Sequence, residues 1–553
     1  MCGIFGGING SFSEQTLERL RHRGPDQQSF VTGTTEDGAT LSFGQTRLNV
    51  VWRHDVELPV RLRGATIVYN GEIYNHRPLR TELEGLGWSF ETQTDNEVAL
   101  AAYLQWGPAC LERFNGMFAF AVWDGHRLFC ARDRMGQRPL FYRTSAGRFE
   151  FASEIKAFDD VQFVSQDVFD LFEFCFNQYT LYRDVYSLPP GHYLIYEPAR
   201  GTCDTFAYWD IEHRIEGRID DEAEAVDRFV ELLEDAVGLR MQADVPVSMF
   251  LSGGIDSALV AKLAGVKEAF TCQFDEFAGT IDERTYAEDL AQRLGIKLHL
   301  VTPTREQFLE RLSALAYHLE MPTGSFSVFP LYCLAEKARE QGYKVVLSGE
   351  GSDELFGGYA RSEFLVEDRL QLDEPRQRSY AGMLARYHGS DLDRFCRMAS
   401  RSGLSGAALM KSFLQSHWSD RKSLLENVCY VESRFFLQPL LQMGDRMTMA
   451  HGVEGRCPYL DHRLIELAFS LADSLRFRNG RGKWLVHKAA ERLLPKGSMV
   501  LERPVKHGLP TPVNLWLQGS GGFDRKYWNA LMTAECIKSL VGPGAAQCRP
   551  ATP

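Results

Sequence analysis

The sequence contains no Cys-x-x-Cys pair and no cysteine–histidine spacing of the kind that binds zinc. Its 12 cysteines are scattered singly, which is typical of a reducing compartment where cysteine acts as a small core residue. No charged-then-apolar signal segment is present, and no apolar run approaches the ~20 residues of a membrane span. We therefore expect a cytoplasmic protein without a membrane partner.

A block of basic residues is also missing. The chain has 61 Lys+Arg against 73 Asp+Glu, a net charge of −12, which argues against nucleic acid or an anionic membrane as a partner. Hydrophobic content of 44% and charged content of 24% are ordinary for a globular protein. At 553 residues the chain is too long for one core, so two or more domains are expected.

The most informative stretch runs from Phe250 to Ser257 and reads Phe-Leu-Ser-Gly-Gly-Ile-Asp-Ser. An apolar strand pattern precedes it and a helical pattern follows, so free backbone N–H groups and the helix dipole converge on an anion site. No Gly-Lys-Ser/Thr follows, which excludes a Walker loop. A turn of small residues can serve packing alone, but Asp256 inside a phosphate cradle favours a bridging Mg²⁺.

A second buried strand pattern ends in an acidic turn, 348–354, reading Ser-Gly-Glu-Gly-Ser-Asp-Glu. A solvated turn is the alternative, but the apolar run before it favours a site. Asp353 and Asp256 could share one Mg²⁺, and Glu350 could act as an acid–base residue near an acceptor. Strands alternating with helices predict a parallel sheet with ligands at the carboxyl ends of its strands.

The first residues suggest different chemistry. If Met1 is removed, Cys2 carries a thiol and a free α-amine, which titrates near pH 7.7–8.0 and can serve as its base. A cysteine at position two can also be chance. Asn70-Gly71 lies in an apolar strand pattern and fits either a hairpin turn or an oxyanion hole. Asp95 fits either an acidic binding residue or a helix N-terminus.

Residues 2–205 resemble the class II glutamine amidotransferases. The resemblance rests on segments 21–26, 43–48, 67–75, 94–97, 153–157 and 188–191. It implies an α+β domain, an αββα sandwich of the N-terminal nucleophile type. It also implies that Cys2 attacks the glutamine amide, that Asn70 and Gly71 hold the oxyanion, and that Arg47 pairs with the α-carboxylate. The glutamine-binding residues implied in this way are Arg47, Leu48, Asn49, Val50, Val51, Asn70, Gly71, Glu72 and Asp95.

Gln45 departs from that family, whose members commonly have histidine at this position. Arg47, two residues further on, is intact. We therefore expect glutamine binding to survive the change.

Residues 223–541 resemble the N-type ATP pyrophosphatases, which implies an α/β domain with a parallel sheet. The ATP-binding residues implied are Phe250, Ser252, Gly253, Gly254, Asp256, Ser257, Cys272, Ser348 and Gly349. Mg²⁺ would be held by Asp256 and Asp353, and Lys483 would neutralise the adenylating transition state. Together with Cys2, Asn70 and Gly71, the catalytic residues implied are Glu350 and Lys483.

The whole chain resembles the glutamine-hydrolysing asparagine synthetase family, with a linker at 206–222 and a disordered tail at 542–553. The resemblance implies an ammonia tunnel, aspartate as acceptor, ATP and Mg²⁺ as cofactors, and AMP and pyrophosphate as products. A homodimer is one hypothesis for its assembly. Residues 323–329 lack the arginine of bacterial members, so an amidotransferase for another carboxylate is the alternative. An inactive regulatory scaffold is disfavoured because no catalytic position is substituted.

Overall fold

The computed structural model describes most of the chain. The described residues are 1–52, 54, 56–145, 147–164, 178–215, 217–277, 283–359, 422–503, 511–517 and 525–541. The predicted tail, 542–553, lies outside them. Among the described residues, no helix is both long enough and apolar enough to cross a membrane.

The N-terminal half contains two antiparallel sheets. Their strands are β1 Cys2–Ile8, β2 Gln27–Thr34, β3 Thr40–Arg47, β4 Val60–Leu62, β5 Ala65–Ile73, β6 Gly116–Trp123, β7 Leu128–Arg132, β8 Phe141–Ser145, β9 Arg148–Ala152, β10 Tyr186–Ser187, β11 His192–Glu197 and β12 Thr202–Ala207. The first sheet has the order β10-β8-β9-β1-β3-β2, and the second has the order β12-β11-β7-β6-β5-β4.

Alternation along the strands packs these sheets face to face. Ile4 and Val68, from different sheets, belong to one buried cluster, because successive side chains of a strand point to opposite faces. Phe5 instead packs on the outer side with Leu20 of the helix Glu14–Leu20. The outer face of the second sheet packs on the helices His76–Gly85 and Asp95–Trp106. The predicted αββα sandwich is confirmed.

The C-terminal half is built on a parallel sheet. Its strands are β13 Val247–Phe250, β14 Glu268–Cys272, β15 Lys297–Val301, β16 Val345–Leu347 and β17 Glu454–Arg456, in the order β15-β14-β13-β16-β17. All four neighbouring pairs are parallel. Because β13 and β16 are neighbours, the two glycine-rich turns that follow them lie side by side at the carboxyl edge. The predicted α/β domain is confirmed.

Helices cover this sheet. The longer ones are Glu222–Arg240, Ile255–Ala264, Arg284–Leu294, Arg305–Leu319, Val328–Glu340, Leu424–Val431, Leu437–Met449, His462–Ser470, Trp484–Leu493 and Arg525–Val541. The shorter ones are Ser352–Phe356, Asp473–Arg476, Met499–Glu502 and Val513–Leu517, while the short helix Cys110–Arg113 belongs to the N-terminal half. In the helix Glu222–Arg240, Asp221 caps the N-terminus. Ala225, Phe229 and Leu233 form the buried stripe that the 3.6-residue period predicts.

The segment 206–222 between the two halves is partly ordered by the second one. Ile211–Arg214 forms a short 3₁₀ helix, and Trp209 and Ile211 are buried in the core of the C-terminal half. The halves also meet through buried ion pairs. Arg23 bonds Asp445, and Arg446 bonds both Glu154 and Glu320.

Candidate active sites

Cys2 lies at the start of β1, buried between the two sheets. Its backbone N–H donates to Asn70 Oδ1 at 3.0 Å, and its carbonyl accepts from Arg23 Nε at 3.0 Å. Burial raises the pKa of the Cys2 thiol, while the N-terminal ammonium and Arg47 act to lower it. Arg47 lies directly opposite Cys2 in the β1–β3 register, so the thiol and this cation are positioned by one strand pair.

Asn70 and Gly71 lie inside β5 and not in a hairpin turn. Asn70 is fully buried, its Oδ1 accepts from Cys2, and its Nδ2 has no hydrogen-bond partner in the described part of the chain. A Cβ on residue 71 would stand 2.2 Å from Met117 O, so only glycine lets β6 come this close. A buried, unsatisfied donor beside a cysteine is what an oxyanion hole requires.

The guanidinium of Arg47 is held by a loop. Its Nη atoms donate to the carbonyls of His54 at 2.9 Å, Val51 at 3.2 Å and Trp52 at 2.6 Å. Since all three acceptors are neutral carbonyls, a carboxylate that reached Arg47 would gain a charge-assisted pair in exchange. The loop therefore has to move if Arg47 is to bind the carboxylate of glutamine.

Of the predicted pocket residues 48–51, three pack in an apolar cluster and Asn49 forms a hydrogen bond through its backbone. Leu48 and Val50 are buried beside Val345 of the parallel sheet, with Val51 packed against this cluster. The Asn49 N–H instead donates to Asp26 Oδ2 at 2.7 Å. The side chains of Leu48 and Val50 thus help to join the two halves.

Glu72 and Asp95 lie close together near Cys2. Asp95 Oδ2 accepts from Tyr69 Oη at 2.6 Å and from the Ile73 N–H at 2.9 Å, so it braces β5 from the first turn of its helix. Burial, and next the negative charge of Asp95, raise the pKa of Glu72 well above its usual range. An ammonium placed here would meet two acidic side chains.

Gln45 pairs with the backbone of Tyr69, the residue before Asn70. Its Nε2 donates to Tyr69 O at 3.0 Å, and its Oε1 accepts from Tyr69 N at 3.3 Å. β4 pairs with β5 only as far as Ile67, so the edge of β5 at Tyr69 has no strand partner in this register. Gln45 occupies that place and fixes the strand that carries Asn70.

The turn after β13 has the compact form that the prediction of a phosphate cradle requires. Gly254 N donates to Ser252 Oγ at 3.2 Å, Ser252 Oγ and Ser257 Oγ are 2.9 Å apart, and the helix begins at Ile255. A Cβ on residue 253 would stand 2.8 Å from Glu283 O, which explains the glycine. The cradle faces the turn after β16, where a Cβ on Gly349 would stand 2.8 Å from Ser257 N.

Lys483 joins these two turns. Its Nζ lies 2.7 Å from Asp256 Oδ2 and 2.5 Å from Asp353 Oδ1. Ser352 Oγ donates to the other oxygen, Asp256 Oδ1, at 2.7 Å. Lys483 is buried and has φ +55°, an unusual conformation for a residue other than glycine and typical of functional positions. One oxygen each of Asp256 and Asp353 therefore contacts the ammonium group of Lys483.

A cavity of about 210 Å³ lies beside this triad. Its walls are Phe250, Leu251, Ser252, Asp256, Ser257, Phe270, Thr271, Cys272, Glu283, Leu331, Leu334, Ser348, Gly349, Glu350 and Asp353. Most of the predicted ATP-binding residues line it. The exceptions are Gly253 and Gly254, which shape the turn behind it.

Glu350 lines this cavity and also a second one of about 30 Å³ that reaches the N-terminal half. The walls of the second cavity are Gln137, Arg138, Phe250, Leu331, Val346, Ser348, Glu350, Leu441, Gly444, Asp445, Thr448, Gly455 and Cys457. Burial raises the pKa of Glu350 to about 7. This carboxyl can hold or release a proton near neutral pH.

Three side chains in or near segment 323–329 lie away from both cavities. Glu320 accepts from the backbone of Ile155 and Lys156 and pairs with Arg446, inside the ion network between the halves. Phe329 is fully buried in the core, and Phe326 packs on Trp528. None of the three lines either cavity described above.

Two further residues of the site, Arg23 and Asp445, were not predicted from the sequence. Arg23 is fully buried, bonds the carbonyl of Cys2, and forms a two-point pair with Asp445 at 2.8 and 3.1 Å. Asp445 lines the smaller cavity. The available signal was an arginine and an aspartate among apolar residues, but their separation by 422 positions hides the pairing.

Known proteins resemble both halves. The family model for a glutamine amidotransferase domain matches residues 1–209, and the model for asparagine synthase matches residues 228–531. The chain is 29% identical to asparagine synthetase (glutamine-hydrolyzing) 1 of Bacillus subtilis, over 94% of this chain and 88% of that protein. It is 30% identical to amidase chyE of Penicillium rubens, over 95% and 88%. It is 31% identical to a putative asparagine synthetase (glutamine-hydrolyzing) of Mycobacterium tuberculosis, over 94% and 88%.

Fold, sites and family models together define a class of enzyme. It is an ATP-dependent, AMP-forming carbon–nitrogen ligase that takes its nitrogen from glutamine through a fused glutaminase domain. Within that class, the chain belongs to the asparagine synthetase family.

Proposed function

We propose that this enzyme amidates the side-chain carboxylate of L-aspartate, and thus makes asparagine. The observation that carries the proposal is the position of Glu350. It borders the cavity beside Asp256 and Lys483, and also the smaller cavity that Gln137 and Arg138 of the glutaminase half line. One carboxyl thus lies where an activated acceptor and arriving ammonia would meet.

In the glutaminase half, the Cys2 thiolate attacks the side-chain amide carbon of glutamine. We propose that Met1 is removed, so that the free α-amine of Cys2 takes the thiol proton and passes it to the departing nitrogen. Asn70 Nδ2 donates to the oxyanion. Ammonia leaves, and water then hydrolyses the thioester to glutamate and regenerates Cys2. Glu72 and Asp95 bind the α-ammonium of glutamine, and Arg47 binds its α-carboxylate.

In the synthetase half, the acceptor carboxylate attacks the α-phosphorus of ATP and displaces pyrophosphate. The Ser252–Ser257 turn offers hydroxyls and backbone N–H groups to the phosphates. Lys483 balances the negative charge that builds up at the transferring phosphorus. Ammonia then attacks the acyl-adenylate, AMP leaves, and Glu350 takes the proton released from nitrogen.

Mg²⁺ fits this site. Asp256 and Asp353 each point an oxygen at the same position, now held by the Lys483 ammonium, and Mg²⁺ in nucleotide sites is bound by one or two carboxylates plus phosphates. Bound there, Mg²⁺ would neutralise charge on the departing pyrophosphate.

Two aromatic side chains of the acceptor segment lie outside the cavities. Phe326 and Phe329, which a bulky aromatic acceptor would use, are packed in the core. Near Glu350 the walls offer Ser348 and the aliphatic Leu331. An aryl acceptor would therefore gain no contact with Phe326 or Phe329.

A second candidate is an amidotransferase for another carboxylate. Two observations favour it: the missing arginine in segment 323–329, and 30% identity to a fungal protein named as an amidase. The glutaminase and adenylation chemistry would be the same in both cases.

An acceptor screen tests the proposal. With ATP, Mg²⁺ and ammonia, aspartate should stimulate release of AMP well above background and yield asparagine. Stimulation by a sugar, aryl or peptide carboxylate, with none by aspartate, would replace asparagine synthesis by the second candidate. A homodimer in the cytoplasm completes the proposal, and sedimentation of the pure protein measures its assembly.

A further inference from the structure

We infer that the side-chain amide of Gln137 is a docking point for neutral ammonia on its way between the two sites. The inference rests on the proposed function, since it requires ammonia to pass from Cys2 to Glu350 inside the protein. It adds a binding residue within that passage.

Gln137 lies on the loop between β7 and β8 and is 5% exposed. Its backbone N–H is bonded to Asp133 Oδ1 at 3.0 Å, which fixes the residue against the wall of the smaller cavity. The side-chain nitrogen Nε2, in contrast, has no hydrogen-bond partner among the residues that the structure describes. A nine-tenths-buried amide therefore lines the cavity with an unsatisfied donor.

Such a donor is expensive to leave unpaired. Burying a polar group without a partner is destabilising, so a buried amide in a cavity wall is expected to bind whatever fills the cavity. The cavity measures about 30 Å³, and a space of roughly 10–15 Å³ on this measure already holds one water. Ammonia has the size of water, so both fit beside Gln137.

The chemistry of the donor favours the neutral molecule. An amide N–H can donate to the lone pair of NH₃, whereas NH₄⁺ has no lone pair to accept it. The neighbouring Arg138 is engaged through its two Nη atoms, while its Nε has no hydrogen-bond partner among the described residues. Arg138 bonds Asp445 at 2.9 Å and the carbonyl of Gly455 at 2.6 Å. Gln137 thus holds the nucleophilic form close to Glu350, which lines the same cavity.

Isotope competition tests this inference. The intact enzyme is supplied with glutamine, ATP and acceptor together with isotope-labelled ammonium, and the label in the product amide is measured. In the Gln137→Met variant, which keeps length and loses the donor, labelled product should rise about fivefold, the effect of one lost neutral hydrogen bond. Glutamate formed per AMP should rise with it. Synthesis from saturating ammonia alone should stay within about twofold of wild type, because the adenylation site is untouched.

Two further variants sharpen the result. Gln137→Glu keeps the shape and replaces the donor by an acceptor, and should lose coupling as Gln137→Met does. Leu441→Met changes an apolar wall residue of the same cavity and should leave coupling unchanged. If wild type excludes label and both Gln137 variants exclude it equally well, the inference is overturned and the proposed function stands. If wild type itself takes up label freely, the internal passage fails, and this inference fails with it.

Discussion

The two active sites are built in opposite ways. In the glutaminase half the functional side chains project from paired strands, and Cys2 faces Arg47 because β1 and β3 pair in one register. Most of their polar atoms bond the backbone, as Arg47, Gln45 and Asp95 do. In the synthetase half the side chains follow the ends of two parallel strands and bond one another.

This difference teaches how each site can fail. A site held by strand register and backbone bonds depends on position, so the loss of one brace moves a nucleophile or an oxyanion donor. The site at the strand ends depends on charge, because Lys483 is balanced between Asp256 and Asp353. The following predictions, from the largest effect to the smallest, separate position from charge.

Cys2→Ala removes the nucleophile and should lower glutamine-dependent synthesis by about 10⁴-fold or more. Synthesis from ammonia should stay within about threefold of wild type, because Cys2 lines neither cavity at the synthetase site. Both rates are measured as release of AMP. An equal loss from both nitrogen sources would contradict two separate sites.

Asp256→Asn keeps the shape of the turn and removes its charge. Synthesis from either nitrogen source should fall by about 10³-fold, as expected when a group that stabilises charge in the transition state is lost. Hydrolysis of glutamine, measured as glutamate, should persist. The products of residual turnover should be AMP and pyrophosphate, and ADP with phosphate would refute the role of this turn.

Gln45→Leu tests whether the position of Asn70 matters, because it removes a brace of β5 without changing the charge of the site. Loss of both bonds to Tyr69 should let Asn70 shift, and a displacement of about 1 Å can cost about 10²-fold in rate. The loss should appear in kcat for glutamine hydrolysis, with KM and ammonia-dependent synthesis close to wild type. Ser42→Ala is the matched control, since Ser42 is buried on the same strand and its Oγ has no partner in the described residues. A rise in KM alone would mean that Gln45 serves glutamine binding.

Much of this arrangement was predictable, because local signals encode it. The glycine turns after β13 and β16 follow from apolar runs that end in small residues, and the αββα sandwich followed from the resemblance of residues 2–205. The side-chain bonds between distant segments were not predictable. Arg23–Asp445 and Gln45–Tyr69 depend on tertiary packing that no local pattern records. Glu320 shows the same limit, since it is close in sequence to segment 323–329 but pairs with Arg446 and lines neither cavity.

The smallest effect concerns Glu350, where a buried carboxyl couples activity and stability to pH. Burial raises its pKa from the ordinary 4.5 to about 7. If the ionised form takes the proton from the attacking ammonia, synthesis at a fixed concentration of free NH₃ should rise about tenfold between pH 6 and pH 8. Glu350→Gln should be slow and should lack this rise. A parallel pH profile in the variant would assign the rise to another group.

The contribution of Glu350 to the free energy of unfolding should fall as pH rises, whereas activity should rise. The folded state holds the Glu350 proton more tightly than the unfolded state, so this group favours folding below about pH 4.5. That contribution is lost as pH rises through about 7. Glu350→Gln lacks the ionisation, so its free energy of unfolding relative to wild type should increase by up to about 3 kcal/mol between pH 5 and pH 8. Denaturant unfolding at both values measures the change, and a constant difference would show that Glu350 is ionised throughout.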